Sequence, residues 1–154
     1  MLVTPAVQCG DLVNLLDHYA RDPMGGGAPL QRRVVDQLPE QLSRIPHAFS
    51  LLCYQGQQAV GLANCFEGFS TFLCQPLINI HDLVVDQRFR GRGVAQLLLD
   101  KVEAIGRQRG CCKLTLEVLE GNHPARQAYR RAGFQNYQLD PDSGVAQFWE
   151  KSLD

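Results

Sequence analysis

One stretch near the middle of the chain, Val85-Asp86-Gln87-Arg88-Phe89-Arg90-Gly91-Arg92-Gly93-Val94-Ala95, combines what is needed to hold an anionic group. The apolar run from Leu77 to Val85 predicts a strand that ends in this arginine-rich loop. A helix follows at once, because Val94, Leu97, Leu98, Val102 and Ile105 recur on one helical face. The first N–H groups of a helix have no intrahelical acceptor, and the helix dipole favours negative charge there. Gly91 and Gly93 let the main chain come close to a phosphate. Arg88, Arg90 and Arg92 add positive charge around it. The chemistry expected is a pyrophosphate cradle on the N–H groups of Arg90, Gly91, Arg92, Gly93, Val94 and Ala95. The same residues also suit a surface turn before an ordinary helix.

The type of cradle can be narrowed. No Gly-Lys-Ser/Thr follows the glycines, so this is not a P-loop. A dinucleotide fingerprint needs a third glycine where Gln96 stands. A second segment bears on the choice: Leu114-Thr115-Leu116-Glu117-Val118-Leu119-Glu120-Gly121-Asn122-His123-Pro124-Ala125-Arg126-Gln127-Ala128-Tyr129-Arg130-Arg131-Ala132-Gly133-Phe134. It reads as a strand, a turn, a helix capped by Asn122, a glycine stop and an aromatic that opens another strand. Together the two segments resemble the GNAT superfamily of N-acetyltransferases. Arg88-x-x-Gly91-x-Gly93 fits its acetyl-CoA signature, and Asn122, Ala125, Tyr129, Gly133 and Phe134 fit its second pattern.

The resemblance implies an α/β (α+β) fold with a mixed sheet of six to seven strands, a splayed parallel pair and about four helices. It implies acetyl-CoA as acetyl donor and no metal. The splayed pair would be the strands ending at Val85 and Leu119. The backbone of Leu83, Val84 and Val85 would pair with the pantetheine arm, and a main-chain N–H near Val84 would polarise the thioester carbonyl. An amine would attack directly, with no acyl-enzyme at Cys111 or Cys112. The family role of Tyr129 is general acid toward the departing thiolate; the plainer alternative is a packing tyrosine. Asn122 would hold the pantetheine or a water, cap its helix, or do both.

On the acceptor side, Phe69-Ser70-Thr71-Phe72 followed by Ile80-His81-Asp82-Leu83-Val84-Val85 resembles the diamine and polyamine branch, with His81 in place of a glutamate. A regular strand would send His81 and Asp82 to opposite faces, whereas the bulge found in this family would bring both to the cleft. Histidine exchanges a proton near neutral pH. Asp82 is therefore assigned to the ammonium and His81 to the proton path, with Glu67 or water as the alternatives. Glu117 and Glu120 read as solvated strand ends. The loop Gly25-Gly26-Gly27 is a lid or slack between helices. The expected acceptor is a small primary amine (a diamine, polyamine or amino acid). A peptide amino terminus or an antibiotic amine follows, and a CoA-binding sensor without turnover is the reading from another class.

Positioning these groups falls to a chain of 154 residues, the size of one domain spanning 1–154. A formal net charge of −1 gives no field to recruit nucleic acid or an anionic membrane. No signal peptide or run long enough to cross a bilayer is evident, which predicts a cytoplasmic protein. The six cysteines, without a Cys-x-x-Cys pair, read as reduced thiols, mostly core filler. His18, His47, His81 and His123 lack ligand spacing, so no metal is expected. A homodimer is common in the family. The expected elements are strand 2–7, helix 11–19 with Asp11 as N-cap, loop 21–29, helix 30–38, strands 48–54 and 59–66, a connection over 68–75, and the strand to Val85. Helix 93–107, strand 113–119, helix 124–132 and strands 134–139 and 145–151 complete the order.

Overall fold

Alternating apolar side chains between residues 48 and 85 produce three consecutive antiparallel strands. These are β2 (Ala48–Gln55), β3 (Gln58–Ser70) and β4 (Gln75–Val85). Gln55 and Gln58 pair across a tight turn in which Gly56 has a positive φ of 61°. β3 and β4 outrun their expected spans, so the connection over 68–75 shrinks to residues 71–74. β1 (Leu2–Pro5) adds to the outer edge of β2, and β5 (Leu114–Leu116) lies parallel to β4. The sheet order is β1-β2-β3-β4-β5. The computed structural model describes residues 1–6 and 9–153, so the expected strand end at Val7 lies outside them.

The helices α1 (Cys9–Ala20) and α2 (Arg32–Ser43) cover one face of the sheet, with Leu12, Val13 and Leu15 of α1 buried against Leu52, Leu62 and Val84. Asp11 does not cap α1. It lies inside the first turn, and its carboxylate accepts the Tyr54 hydroxyl at 2.7 Å. Leu30 precedes α2 rather than starting it, since its N–H is held by Asp17 Oδ1 at 2.8 Å. The helix then runs through Pro39, where a break was expected. Val35, Leu38 and Leu42 pack on the α1 cluster. That burial outweighs the hydrogen bond lost at the proline.

α3 (Val94–Gln108) covers the opposite face. A Cβ at Gly61 would lie 2.5 Å from Val94 Cγ1 and 3.0 Å from Leu98 Cδ1, so only glycine admits the helix here. The buried stripe is Val94, Leu98, Leu99, Val102 and Gly106. The expected face is thus turned slightly: Leu97 is exposed, Ile105 is half-buried and Leu99 points inward. All of these elements belong to one compact unit, Met1–Leu116.

The second unit, Glu117–Asp154, holds α4 (His123–Arg131). Beyond it, the two strands expected over 134–139 and 145–151 reduce to a single bridge between Gln138 and Val145. The described sheet therefore has five strands, not six to seven. Leu139, Phe148 and Trp149, apolar side chains of these expected strands, remain 79%, 73% and 82% exposed. A strand is stabilised by neighbours that accept its hydrogen bonds and cover its apolar face; here one backbone bond, from Ala146 N to Tyr137 O at 2.9 Å, accompanies the bridge, and the apolar side chains stay uncovered.

Tyr54 gives the fold a pH-sensitive tie between α1 and β2. Burial and then the Asp11 carboxylate push its phenol up to about 12. Because the folded value lies above the unfolded one of about 10, this stability is complete below pH ~10 and is lost as pH rises through about 12. Tyr54→Phe is expected to cost about 1–2 kcal/mol at neutral pH. Chemical denaturation across pH 8–12 should show a shallower alkaline decline in the variant than in the parent.

Candidate active site

The second half of β4 is placed by its two neighbours. β5 pairs with it only through Ile78, Asn79 and Ile80, so β4 runs on from His81 to Val85 without a β5 partner. On its other side the ladder to β3 continues, and the Asp86 N–H donates to Val60 O at 3.0 Å. Antiparallel pairing alternates direction, so the N–H groups of Val84 and Asp82 face β3 while those of Leu83 and Val85 face the side β5 has left. The outward donors are therefore Leu83 and Val85, on either side of Val84.

One extra residue interrupts the β3–β4 ladder. Asn64 pairs with Asp82 and Cys65 with Ile80, which leaves His81 unmatched as a bulge. The two pointing directions of β4 consequently exchange. Ile78 faces α3, as its nearness to Gly106 shows, whereas Val84 faces α1. The exposed His81 ring meets Phe66 edge-on at 5.5 Å, and the Asp82 carboxylate accepts from Asn64 Nδ2 at 2.9 Å. Phe66 and Asn64 are two residues apart on β3 and share the α1 face, so His81 and Asp82 project to the same side. Ser50 of β2 joins the row, its hydroxyl donating to Asn64 Oδ1 at 2.6 Å.

Tyr19, near the end of α1, lies within the field of Asp82. Burial first, then the carboxylates of Asp82 and Asp22, push its phenol up. Its hydroxyl donates to Met24 O at 3.1 Å, which ties α1 to the loop before Gly25-Gly26-Gly27. Glu67 sits on the other face, paired in register with Ile78. It accepts from Arg109 Nη1 at 3.3 Å, and Arg109 in turn lies over the Phe49 ring at 4.6 Å.

In the loop after β4 the three arginines differ. Asp86 caps a 3-10 turn over Gln87–Phe89 by accepting the Arg88 N–H at 3.0 Å. The Arg88 guanidinium grips both oxygens of Asp86 at 3.1 and 2.7 Å, and this contact holds the buried carboxyl below its ordinary range. Arg88 is thus committed to the loop's own geometry. Arg90 donates from Nη2 to Asp22 Oδ2 at 2.9 Å, while its N–H is directed to Gln87 O at 3.4 Å. Asp22 is held low by the Met24 N–H and then by Arg90. Arg92 lies over the Phe89 ring at 5.2 Å and forms no ion pair among the described residues.

Gly91 and Gly93 have φ of 74° and 82°, a region costly for any other residue, and a Cβ at either would meet no protein atom within 4 Å. Gly93 is the N-cap of α3 and supplies no capping side chain. The first intrahelical bond runs from Leu97 N to Gly93 O at 3.0 Å, so the N–H groups of Val94, Ala95 and Gln96 have no intrahelical acceptor. Those donors, the open glycine backbone and Arg92 suit a pyrophosphate. Among the described residues no group of three or more His, Cys, Asp and Glu side chains could hold a metal, and no helix is long and apolar enough to cross a membrane.

In the second unit Asn122 caps α4, its Oδ1 accepting the Ala125 N–H at 3.3 Å. α4 ends in a Schellman motif: Phe134 N donates to Tyr129 O at 2.9 Å and Gly133 N to Arg130 O at 3.0 Å. The Tyr129 and Phe134 rings meet at 6.0 Å, the apolar contact that accompanies this motif. Asn122 and Tyr129 thus each have a local structural role.

Comparison with known proteins decides the family. The model described as the Acetyltransferase (GNAT) family matches residues 12–134, most of the chain. The chain belongs to this family. Streptothricin acetyltransferase of Streptomyces lavendulae is 40% identical over 63 residues, covering 41% of this chain and 33% of that protein. Thialysine N-epsilon-acetyltransferase of Bos taurus is 30% identical over 82 residues, 53% of this chain and 48% of the relative. The chain thus spans half or less of these curated relatives. The crystal structure of an aminoglycoside antibiotic 6'-N-acetyltransferase from Acinetobacter haemolyticus covers 100% of both chains with a TM-score of 0.76 and 21% identity, a likeness of fold alone. GNAT enzymes use acetyl-CoA as cosubstrate, which agrees with the cradle.

Ser50, Asn64, Tyr19 and Asp22 were not among the residues expected at the site. Asn64 did leave a signal, as a polar side chain inside the apolar run Ala59–Phe66. Gly91→Asp combined with Gly93→Asp places bulk and negative charge in the cradle and strains two left-handed residues by roughly 1–3 kcal/mol each. Titration calorimetry with CoA should show binding abolished, in protein whose melting curve remains cooperative.

Proposed function

We propose that this chain transfers an acetyl group from acetyl-CoA to the primary amine of a small molecule (a diamine, polyamine or amino acid). The observation that carries the reading is the bulge at His81, which puts an imidazole and a carboxylate on one face of β4 beside its unpaired edge. The curated relatives support a small acceptor, since one is named for streptothricin and the other for the epsilon nitrogen of thialysine. The streptothricin relative also keeps an antibiotic amine as the second reading.

When bound, acetyl-CoA supplies an activated thioester. The N–H groups around Gly91–Ala95 would hold the pyrophosphate, and the outward backbone of Leu83 and Val85 would pair with the pantetheine amides. One of those N–H groups would also stabilise the oxyanion, a contribution of about 3 kcal/mol in comparable sites. An alkylammonium has no lone pair, so it must lose a proton before attack. Asp82 would hold the cationic amine and His81 would carry the proton away, directly or through water. Glu67 is the weaker alternative, because it lies on the opposite face in an ion pair with Arg109. Tyr129 is proposed as the acid that protonates the leaving thiolate, and Asn122 as a pantetheine or water ligand beyond its capping role. The family pattern extends the proposal to one catalytic domain over 1–154, acting as a cytoplasmic homodimer.

Release of free thiol from acetyl-CoA in the presence of a panel of amines, amino acids and peptides tests the reaction. It should rise with small primary amines and remain at background with peptides. With the best amine, Asp82→Asn should mainly raise the amine KM and His81→Ala should mainly lower kcat, both with CoA affinity and melting temperature preserved. Equal losses of stability and activity in both would make the pair structural. Tyr129→Phe keeps the ring contact with Phe134 and should lower kcat about 10²-fold if chemistry is rate-limiting. An unchanged kcat would leave Tyr129 as a packing residue.

A further inference from the structure

We infer that Asn64 is a positioning residue for amine recognition, aiming the Asp82 carboxylate, and that Ser50 locks Asn64 in the orientation required. The inference rests on the proposed role of Asp82 as the ammonium site. Ser50, Asn64 and Asp82 occupy paired positions on three successive strands, Ser50 opposite Asn64 and Asn64 opposite Asp82. Their side chains form one row on the α1 face: Ser50 Oγ donates to Asn64 Oδ1 at 2.6 Å, and Asn64 Nδ2 donates to Asp82 Oδ2 at 2.9 Å.

The chemistry of the row fixes its direction. An ionised carboxylate only accepts, so the amide must present its NH2 end to Asp82. Its carbonyl end then faces Ser50, and a hydroxyl is the group there that can donate. Asn64 is 2% exposed, in a strand whose neighbours Leu62, Ala63 and Cys65 are buried and apolar. A buried primary amide in such a place is costly unless both ends are satisfied, and here both are. Every donor in the row points toward Asp82, so the dipoles align with the charge they hold.

The consequence is geometric. Asp82 follows immediately on the bulged residue, where the regular ladder gives the least control over side-chain direction. Anchoring Oδ2 to Asn64 leaves Oδ1, which accepts no hydrogen bond from the described residues, as the oxygen to meet an incoming ammonium. Asn64 never touches the substrate. It sets the angle at which the carboxylate is offered, and so the preference for cationic amines.

The experiment uses the full chain, acetyl-CoA and whichever primary amine gives the highest kcat/KM in the panel described above. Asn64→Leu keeps the branched shape, with some added bulk, and removes the donor; Ser50→Ala removes only the group that locks the amide. Expected are a rise in amine KM of about tenfold for Asn64→Leu and about threefold for Ser50→Ala, with kcat and CoA affinity changed less than twofold. In an Asp82→Asn background neither substitution should raise the KM further. Restoring a donor with Asn64→Gln should recover part of the loss. If Asp82→Asn raises the amine KM but Ser50→Ala and every folded Asn64 variant leave it unchanged, Asn64 does not position the carboxylate and the inference is overturned. If Asp82→Asn itself leaves the KM unchanged, or no amine is acetylated, the underlying reading fails and the inference with it.

Discussion

One extra residue in β4 organises the candidate site. Without His81 as a bulge, a strand that packs Ile78 on α3 would also send Val84 toward α3. The α1 core of Leu12, Leu15, Leu52 and Leu62 would then lose its partner. The bulge lets the first half of β4 serve one helix layer and the second half serve the other. The same shift brings His81 and Asp82 to a common face. Core packing and site chemistry therefore answer to a single register change, and neither can slip without the other.

The loop that follows is governed by charge neutralisation close at hand. Of three arginines grouped in sequence, Arg88 is consumed by the buried Asp86 and Arg90 by Asp22, while Arg92, beside the N-terminus of α3, forms no ion pair among the described residues. The proposed cradle thus rests more on oriented N–H groups and two left-handed glycines than on a pool of positive charge. The Asp22–Arg90 pair also joins the loop after α1 to the cradle. The elements proposed to bound the acceptor and the cofactor are in this way held to each other in the folded chain.

Residues with a proposed role often carry a structural one as well. Asn122 caps α4, and Tyr129 supplies the ring contact of its Schellman motif. Such double duty explains why these residue types stand at these spacings. It also means that loss of activity in a variant is informative only beside a measure of folding.

Much of the molecule was legible in the chain. The glycine spacing placed the turn before α3, helical periodicity placed α3, and Asn122 and Gly133 marked the two ends of α4, because capping and turn chemistry act over a few residues. Other features depended on distant partners. α2 runs through Pro39 because Val35, Leu38 and Leu42 find a surface on α1. The strands expected after Phe134 reduce, among the described residues, to the bridge at Gln138 and Val145, since a strand needs a neighbour and the sequence names none. The row from Ser50 through Asn64 to Asp82 joins residues 14 and then 18 positions apart, and the sequence showed only a polar residue out of place. Local spacing determined which backbone could hold an anion. Sheet register, a property of strands brought together, decided which side chains stand beside it.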